Sequence, residues 1–436
     1  MQEVFINIDL FRTINEYTDL RSLCDTGSLF ATLKKYINFK LNRKYSLIYY
    51  DNSLFRTIVL NKIFNPSKLL HLNLSGYDNI TDVSVLGNVY DLNLSYCNNI
   101  INVIADNVYN LDLSYCKNII NVIVKNVHNL NLCWCKNITD VSALGSVHTL
   151  YLSGCNITDV SMLGNIHNLV LSCCENITDV SALGKVHTLN LSNCNITDVS
   201  ELGNVYDLDL SYCNNITDVS KLGNVNTLYL DCNNITDVSL LGNVHTLYLC
   251  NCKKITDVSK LGNIHILNLS GCNIADVSAL GNVHTLILTD CNNITNVSTL
   301  RNVHTLFLFG CKSITDVSKL ANVHTLNLND CHNITDVSAL GNVHTLSLSS
   351  CHKITDVSAL GNVHTLDLSS CHNITDVSAL KNIHTLDLSY CDKIQDVSAL
   401  GNCHTLDLRL CERITDVSML GNIYNLILPH HLIKKI

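Results

Sequence analysis

Between Leu72 and Leu428 the pair Leu-x-Leu recurs nineteen times, at steps of 19 or 20 residues. A period this short and this regular restricts the chain to a stack of equivalent coils, each touching only its neighbours. A clean copy runs from His344 to Val363, HTLSLSSCHKITDVSALGNV. Stacking also removes a size problem, since 436 residues would make an unusually large single core. Outside the repeats lie an N-terminal segment, 1–69, and a short C-terminal tail, 429–436.

One coil, 147–166, shows the pattern. Leu150 and Leu152 alternate with Thr149, Tyr151 and Ser153, which is period two and therefore a strand. Cys155, Ile157, Val160, Leu163 and Ile166 complete an inward set of seven side chains. Burying each large aliphatic contributes about 1.5–3 kcal/mol, but only where a neighbouring coil covers it. The return half, T-D-V-S-x-L-G-N, is too short for a full helix with two loops. Short 3-10 or extended segments are expected there, with Asp140 capping a turn that starts at Val141 and Gly145 ending it. Two coils, from Cys97 and from Cys116, lack the Leu-Gly pair and are expected to be the least regular.

Charge is unevenly placed. The first seventy residues carry ten Lys+Arg and six Asp+Glu, whereas the rest carries eighteen against thirty-one. An acidic repeat region argues against nucleic acid as the main partner. The start, MQEVFINIDLF, lacks the basic region and apolar run of a secretory signal, and no apolar window reaches membrane-spanning length. Of twenty-two cysteines, seventeen occupy one repeat position. They are read as reduced and buried, which points to an intracellular, cytoplasmic setting. The sequon N-I-T occurs ten times as part of the repeat, and glycans on adjacent coils would crowd at about 5 Å.

The first seventy residues do not share the repeat. Ile8, Phe11 and Ile14 stand near helical spacing, a second short helix carries Leu20, Leu23 and Cys24, and a third carries Leu29, Leu33, Tyr36 and Ile37. A later helix is expected over 52–63, ended by Pro66. The end coil of a solenoid exposes its core, so these helices are expected to cap it.

The segment V-x-x-L-x-L-x-x-C-x-x-I, in about eighteen copies, resembles the leucine-rich repeat. The resemblance implies an α/β leucine-rich repeat solenoid over 70–428. It would have a parallel inner sheet, short 3-10 or extended outer segments and a small helical N-terminal cap. Cysteine followed by I-T-D resembles the cysteine-type repeats that often follow F-boxes, and I-D-L-F…I-x-x-Y-T-D-L-R-S-L-C over 5–42 resembles an F-box itself. F-boxes usually open on Leu-Pro, where this chain has Asn7-Ile8. That resemblance implies docking on the Skp-type adaptor of a cullin ubiquitin ligase through Leu10, Phe11, Ile14, Leu20 and Leu23. The uniform I-T-D-V-S-x-L-G-N half resembles leucine-rich repeat proteins encoded by giant viruses of amoebae, which would place the protein in host cytoplasm.

Three residue ladders invite chemical readings. The cysteine ladder, Cys97 to Cys411, lacks paired metal-ligand spacing and reads as a buried column. Thirteen histidines from His128 to His404 precede the strands; Tyr206, Asn226 and Tyr424 take the same slot, which a metal array should not tolerate. The aspartates, Asp140 and its equivalents, read as turn caps. No phosphate loop, nucleophile elbow or metal signature is present, so no catalytic residue, metal or cofactor is expected.

Variation between copies is more informative. The slot between the strand leucines holds Asp112, Tyr151, Tyr229, Tyr248 and Phe307; the slot before the cysteine holds Tyr96, Tyr115, Trp134 and Tyr212. Both are expected on the concave face, where rigid aromatics anchor protein partners or stack to stiffen the sheet. Coils 331–390 are nearly identical to one another, which places specific contacts toward the first half. The expected function is a non-enzymatic protein-binding receptor, either the substrate-recognition subunit of a ubiquitin ligase or a plain scaffold whose N-terminal helices only cap the solenoid.

Overall fold

The inward set of the 147–166 coil is buried throughout, with Leu150, Leu152, Ile157 and Leu163 fully inaccessible and Cys155, Val160 and Ile166 nearly so. The structure, a computed structural model, describes residues 39–59, 70–87 and 89–433. The chain forms two compact units, 1–209 and 210–436.

In the first unit β1 (Phe39–Lys40) pairs in parallel with β2 (Leu70–Asn73), which pairs with β3 (Asp91–Asn93). Further strands follow at β5 (Asn110–Asp112), β7 (Asn129–Asn131), Thr149–Tyr151, Asn168–Val170, Thr188–Asn190 and Asp207–Asp209. Every leucine faces its equivalent, as in the series Leu111, Leu130, Leu150, Leu169, Leu189, Leu208. The register follows from period two, because a slip of one residue would turn each leucine outward.

Two short helices stand beside the first strands. α1 (Arg43–Asp51) is capped by Asn42, whose side-chain oxygen accepts from Tyr45 N at 3.1 Å, and α2 (Ser53–Ile58) is capped in the same way by Asn52 at 3.0 Å. The Ser46 hydroxyl donates to Leu41 O and accepts from Asn73 N, which ties α1 to β2. The Arg43 guanidinium donates to Ser75 O and lies over the Tyr77 ring. Of the helix expected over 52–63, α2 covers 53–58, and residues 60–63 lie outside the described residues. α1 was not anticipated, because only Ser46 and Tyr49 of its nine residues are buried and its sequence shows no apolar stripe. The three helices expected before residue 38 lie outside the described residues.

The return segments behave as Asp-capped turns. Asp140 accepts from Ser142 N at 2.9 Å, a 3-10 turn spans Ser142–Leu144, and the bond from the Ser142 N–H holds the Asp140 carboxyl below the usual range. Gly145 ends the turn for a different reason than expected. Its φ of −64° is ordinary right-handed backbone, and what excludes a side chain is the next coil, since a Cβ would stand 2.3 Å from Met162 O.

The two coils expected to be least regular are instead the most sheet-like. N-V-I-A-D and N-V-I-V-K form β4 (Asn102–Asp106) and β6 (Asn121–Lys125), paired in parallel as a separate two-stranded sheet. Consecutive β-branched residues favour the extended backbone, and their burial alternates. Val103, Ala105, Val122 and Val124 face inward, and Ile104 and Ile123 face solvent.

The second unit repeats the scheme from Thr227–Tyr229 to Asn425–Ile427, eleven parallel strands in register. At its end Pro429 is followed by α3 (His430–Ile433), within the stretch read as a tail. Leu432 is buried there, and the His431 ring bonds Ile414 O at 2.8 Å.

Polar columns join successive coils in both units. The ladder thiols donate to a leucine carbonyl one coil back, Cys155 to Leu132 O at 3.1 Å and Cys351 to Leu328 O at 3.1 Å. Burial pushes these thiols up, to about 12 at Cys135 and Cys371, and no disulfide joins the described cysteines. Sequon asparagines donate their amide nitrogen in the same direction, Asn156 to Lys136 O and Asn373 to His352 O. A glycan there would occupy the nitrogen that holds the coils together.

Candidate partner-binding surface

A residue between two buried strand leucines must point off the open face of the sheet. Asp112 and Tyr151 therefore stand on that face of the first unit, and Tyr229, Tyr248 and Phe307 on that of the second, each at the last position of its strand. Asp112 shapes the turn after its strand through one carboxylate oxygen, which accepts from Ser114 N at 2.9 Å. Tyr229 and Tyr248 stack with centroids 4.6 Å apart.

The slot before the cysteine lies elsewhere. Tyr96, Tyr115, Trp134 and Tyr212 sit in the turn that leaves the strand, with φ between 61° and 63°. They are therefore on the rim, one step off the face expected of them. A left-handed backbone costs a non-glycine residue about 1–2 kcal/mol, and glycine fills this slot in other coils, at Gly76, Gly154, Gly271 and Gly310. Three consecutive coils nonetheless carry rings here. Tyr96 and Tyr115 stack at 4.7 Å, and Tyr115 and Trp134 at 6.3 Å. Lys136 Nζ lies 5.4 Å from the Trp134 ring centroid. Gly154 completes the stack, since a Cβ there would come within 2.7 Å of the indole. The rings stay 53 %, 38 % and 37 % exposed, with Tyr151 exposed beside them, so stacking leaves their edges to solvent. Stiffening and presentation are both served by one arrangement.

The architecture has counterparts among known structures. A leucine-rich repeat family model matches residues 185–200, 362–381 and 379–400. A leucine-rich repeat protein of Leptospira interrogans superposes with a TM-score of 0.52 at 18 % identity, over 79 % of this chain and 96 % of that one.

The fold is that of a leucine-rich repeat solenoid.

The functional domain of InlJ from Listeria monocytogenes, which includes a cysteine ladder, is similar at 22 % identity and TM-score 0.43, covering 63 % of this chain and 72 % of its own. The leucine-rich repeat ectodomain of a membrane receptor kinase from Arabidopsis thaliana, solved in complex with Casparian strip integrity factor 2, is 13 % identical with TM-score 0.31, over 83 % and 66 % of the two chains. No curated protein matches the chain.

The remaining ladders of this chain also bond within the repeats. Its histidines form stacked columns within each unit, His128 to His148 at 4.3 Å and His324 to His344 at 4.6 Å. Their Nδ1 atoms sit 3.2–3.4 Å from neighbouring threonine hydroxyls, as at His324 and His404. Among the described residues no cluster of three or more His, Cys, Asp or Glu is arranged to hold a metal. The adaptor residues Leu10, Phe11, Ile14, Leu20 and Leu23 lie outside the described residues. Sequence reasoning missed Ile266, Ile287 and Phe309 on the sheet face of the second unit, although strand alternation alone would have placed them there.

Proposed function

We propose that this protein is a non-enzymatic receptor that holds a partner protein on its repeats, with Tyr96, Tyr115, Trp134 and Tyr151 as anchors. The observation that supports this is the ring stack at left-handed backbone positions, where glycine would relieve the backbone. In this reading residues 1–69 cap a solenoid spanning 70–428, and the F-box-like 5–42 docks a Skp-type adaptor so that the partner is presented for ubiquitination. On the same reading the chain would be encoded by a giant virus of amoebae and act in host cytoplasm. The bonds from Ser46 and Arg43 to the first coil favour a plainer scaffold, in which the N-terminal helices only close the stack.

Co-purification of the full chain with a Skp-type adaptor separates the two. Capture that is lost on changing Phe11 and Leu20 to Ser supports the ligase role, and no capture by the folded wild type removes it. Changing Tyr96, Tyr115 and Trp134 to Ala should lower partner capture while thermal unfolding stays cooperative. A melted repeat region with partner binding otherwise retained would make the rings structural.

A further inference from the structure

The second unit carries its own pattern on the open sheet face. Tyr229 and Tyr248 stand on neighbouring strands, Ile287 pairs with Phe307, and Ile266 and Phe309 flank them. All six are half-buried or exposed and face away from the leucine core. They span five successive strands, about 19 Å at the usual strand spacing. Isolated exposed apolar side chains need no explanation, but a contiguous strip along one face marks a contact surface.

The charges beside this strip are of one sign. Asp367, Asp387 and Asp407 lie in register on three adjacent strands beyond it. Asp407 is held at 2.6 Å by Arg409, the only Lys or Arg among the described residues at the strand and turn positions of this face. Asp367 and Asp387 accept from Ser369 N and Ser389 N, and Asp367 also from the Ser347 hydroxyl, but neither carboxylate forms an ion pair among the described residues, nor do Asp290 and Asp330 at the turns. Burial pushes the Asp387 carboxyl up, and the charges of Asp367 and Asp407 add to that against the bonds from Ser389. The lysines of these coils stand off this face, in the loops after the cysteine or, as at Lys260, Lys319 and Lys381, in the return segments. Lys254, Lys353 and Lys393 each bond an asparagine one coil back.

We propose that the sheet face of the second unit docks a basic, amphipathic segment of a partner protein, with apolar side chains on the Tyr248–Ile287–Phe307 strip and Lys or Arg on Asp367 and Asp387. The proposal rests on the reading of the chain as a protein-binding module but uses none of the rim rings of the first unit. The carboxylates select against acidic segments, and the same sign disfavours nucleic acid and anionic lipid. From Tyr229 to Asp387 the surface covers eight strand steps, about 38 Å. An extended segment of roughly a dozen residues bridges that span.

The test uses the full chain and a labelled peptide bearing three leucines at one end and four lysines at the other, joined by serine and glycine. Binding is read by fluorescence anisotropy. Wild type should bind it at least about tenfold more tightly than versions with glutamate for lysine or serine for leucine. The D367N/D387N double variant should lose at least about tenfold, and F307S should lose a comparable factor. Asparagine occupies the same slot at Asn268 and Asn327, so the double variant retains the fold. Raised salt should weaken binding to wild type more than to the double variant. Equal affinity for the lysine and glutamate peptides, unchanged affinity in the variants, or no binding by wild type at millimolar peptide would overturn the proposal. The variant with Ala at Tyr96, Tyr115 and Trp134 should bind the peptide as wild type does, so failure of the ring site and failure of this one are read separately.

Discussion

The thiol column makes a quantitative claim that three nearly identical coils test in triplicate. Cys331, Cys351 and Cys371 are fully buried and donate to Leu308 O, Leu328 O and Leu348 O at 3.1, 3.1 and 3.2 Å. Each acceptor already has a partner, since Leu328 O also takes the backbone N–H of Cys331 at 3.1 Å. Removing a thiol therefore leaves the carbonyl half-satisfied and not orphaned. Cys351→Ala should forfeit about 1 kcal/mol of buried area, about 0.5 kcal/mol for the space left by sulfur and about 0.5 kcal/mol for the bond. The sum is roughly 2 kcal/mol. Cys351→Ser keeps a donor aimed at the same oxygen and should cost about half as much. The assay is urea unfolding followed by far-ultraviolet circular dichroism under reducing conditions. It is analysed coil by coil, because a repeat array need not unfold in one step. The same ordering should appear at all three positions, within about 0.5 kcal/mol of each other. Serine costing more than alanine at two of the three would refute a hydrogen-bonding role and leave only packing.

Two further outcomes are expected. A Cβ at Gly341 would stand 2.2 Å from Ala359 O, so Gly341→Ala should destabilise by about 1–2 kcal/mol in the same unfolding assay. The loss is bounded because Arg301, Ala321 and Lys381 show that a coil can part enough to admit a side chain; an unchanged midpoint would show that the close approach carries no constraint. Burial and the flanking imidazoles hold His284, His324 and His384 below the ordinary histidine value. The unfolded chain then takes up protons first, from about pH 6.5 downward, and stability falls as pH drops through that range. The urea midpoint should be lower at pH 5.5 than at 7.5, and replacing His324 and His344 with Asn should shrink the difference; a pH profile unmoved by those changes would rule out coupling along the column.

The coil itself was legible because its information is local and redundant. Leu150, Leu152, Cys155 and Ile157 announce a strand and its turn within eight residues, and Asp140 announces the next turn by side-chain chemistry alone. What escaped depended on neighbours. Gly145 looks like a helix terminator until Met162 O of the next coil is in place. The Asp367–Asp387–Asp407 row exists only once three strands twenty residues apart are set in register. α1 has too little apolar pattern to be seen without β2 to hold it. The rim rings were picked out by type, but their displacement from the sheet face follows from a positive φ that no residue name reveals, least of all tryptophan.

The near-identity of coils 331–390 has an evolutionary and engineering consequence. Each presents the same pair of stacking surfaces, so an in-frame gain or loss of one twenty-residue copy leaves both junctions filled. Gain or loss of the copy that carries Ser347 changes the separation between the Phe307 strip and the Asp367–Asp387 row, in increments of about 4.8 Å. Copy number in that stretch works as a ruler, set by recombination between like segments, that adjusts span without disturbing any core.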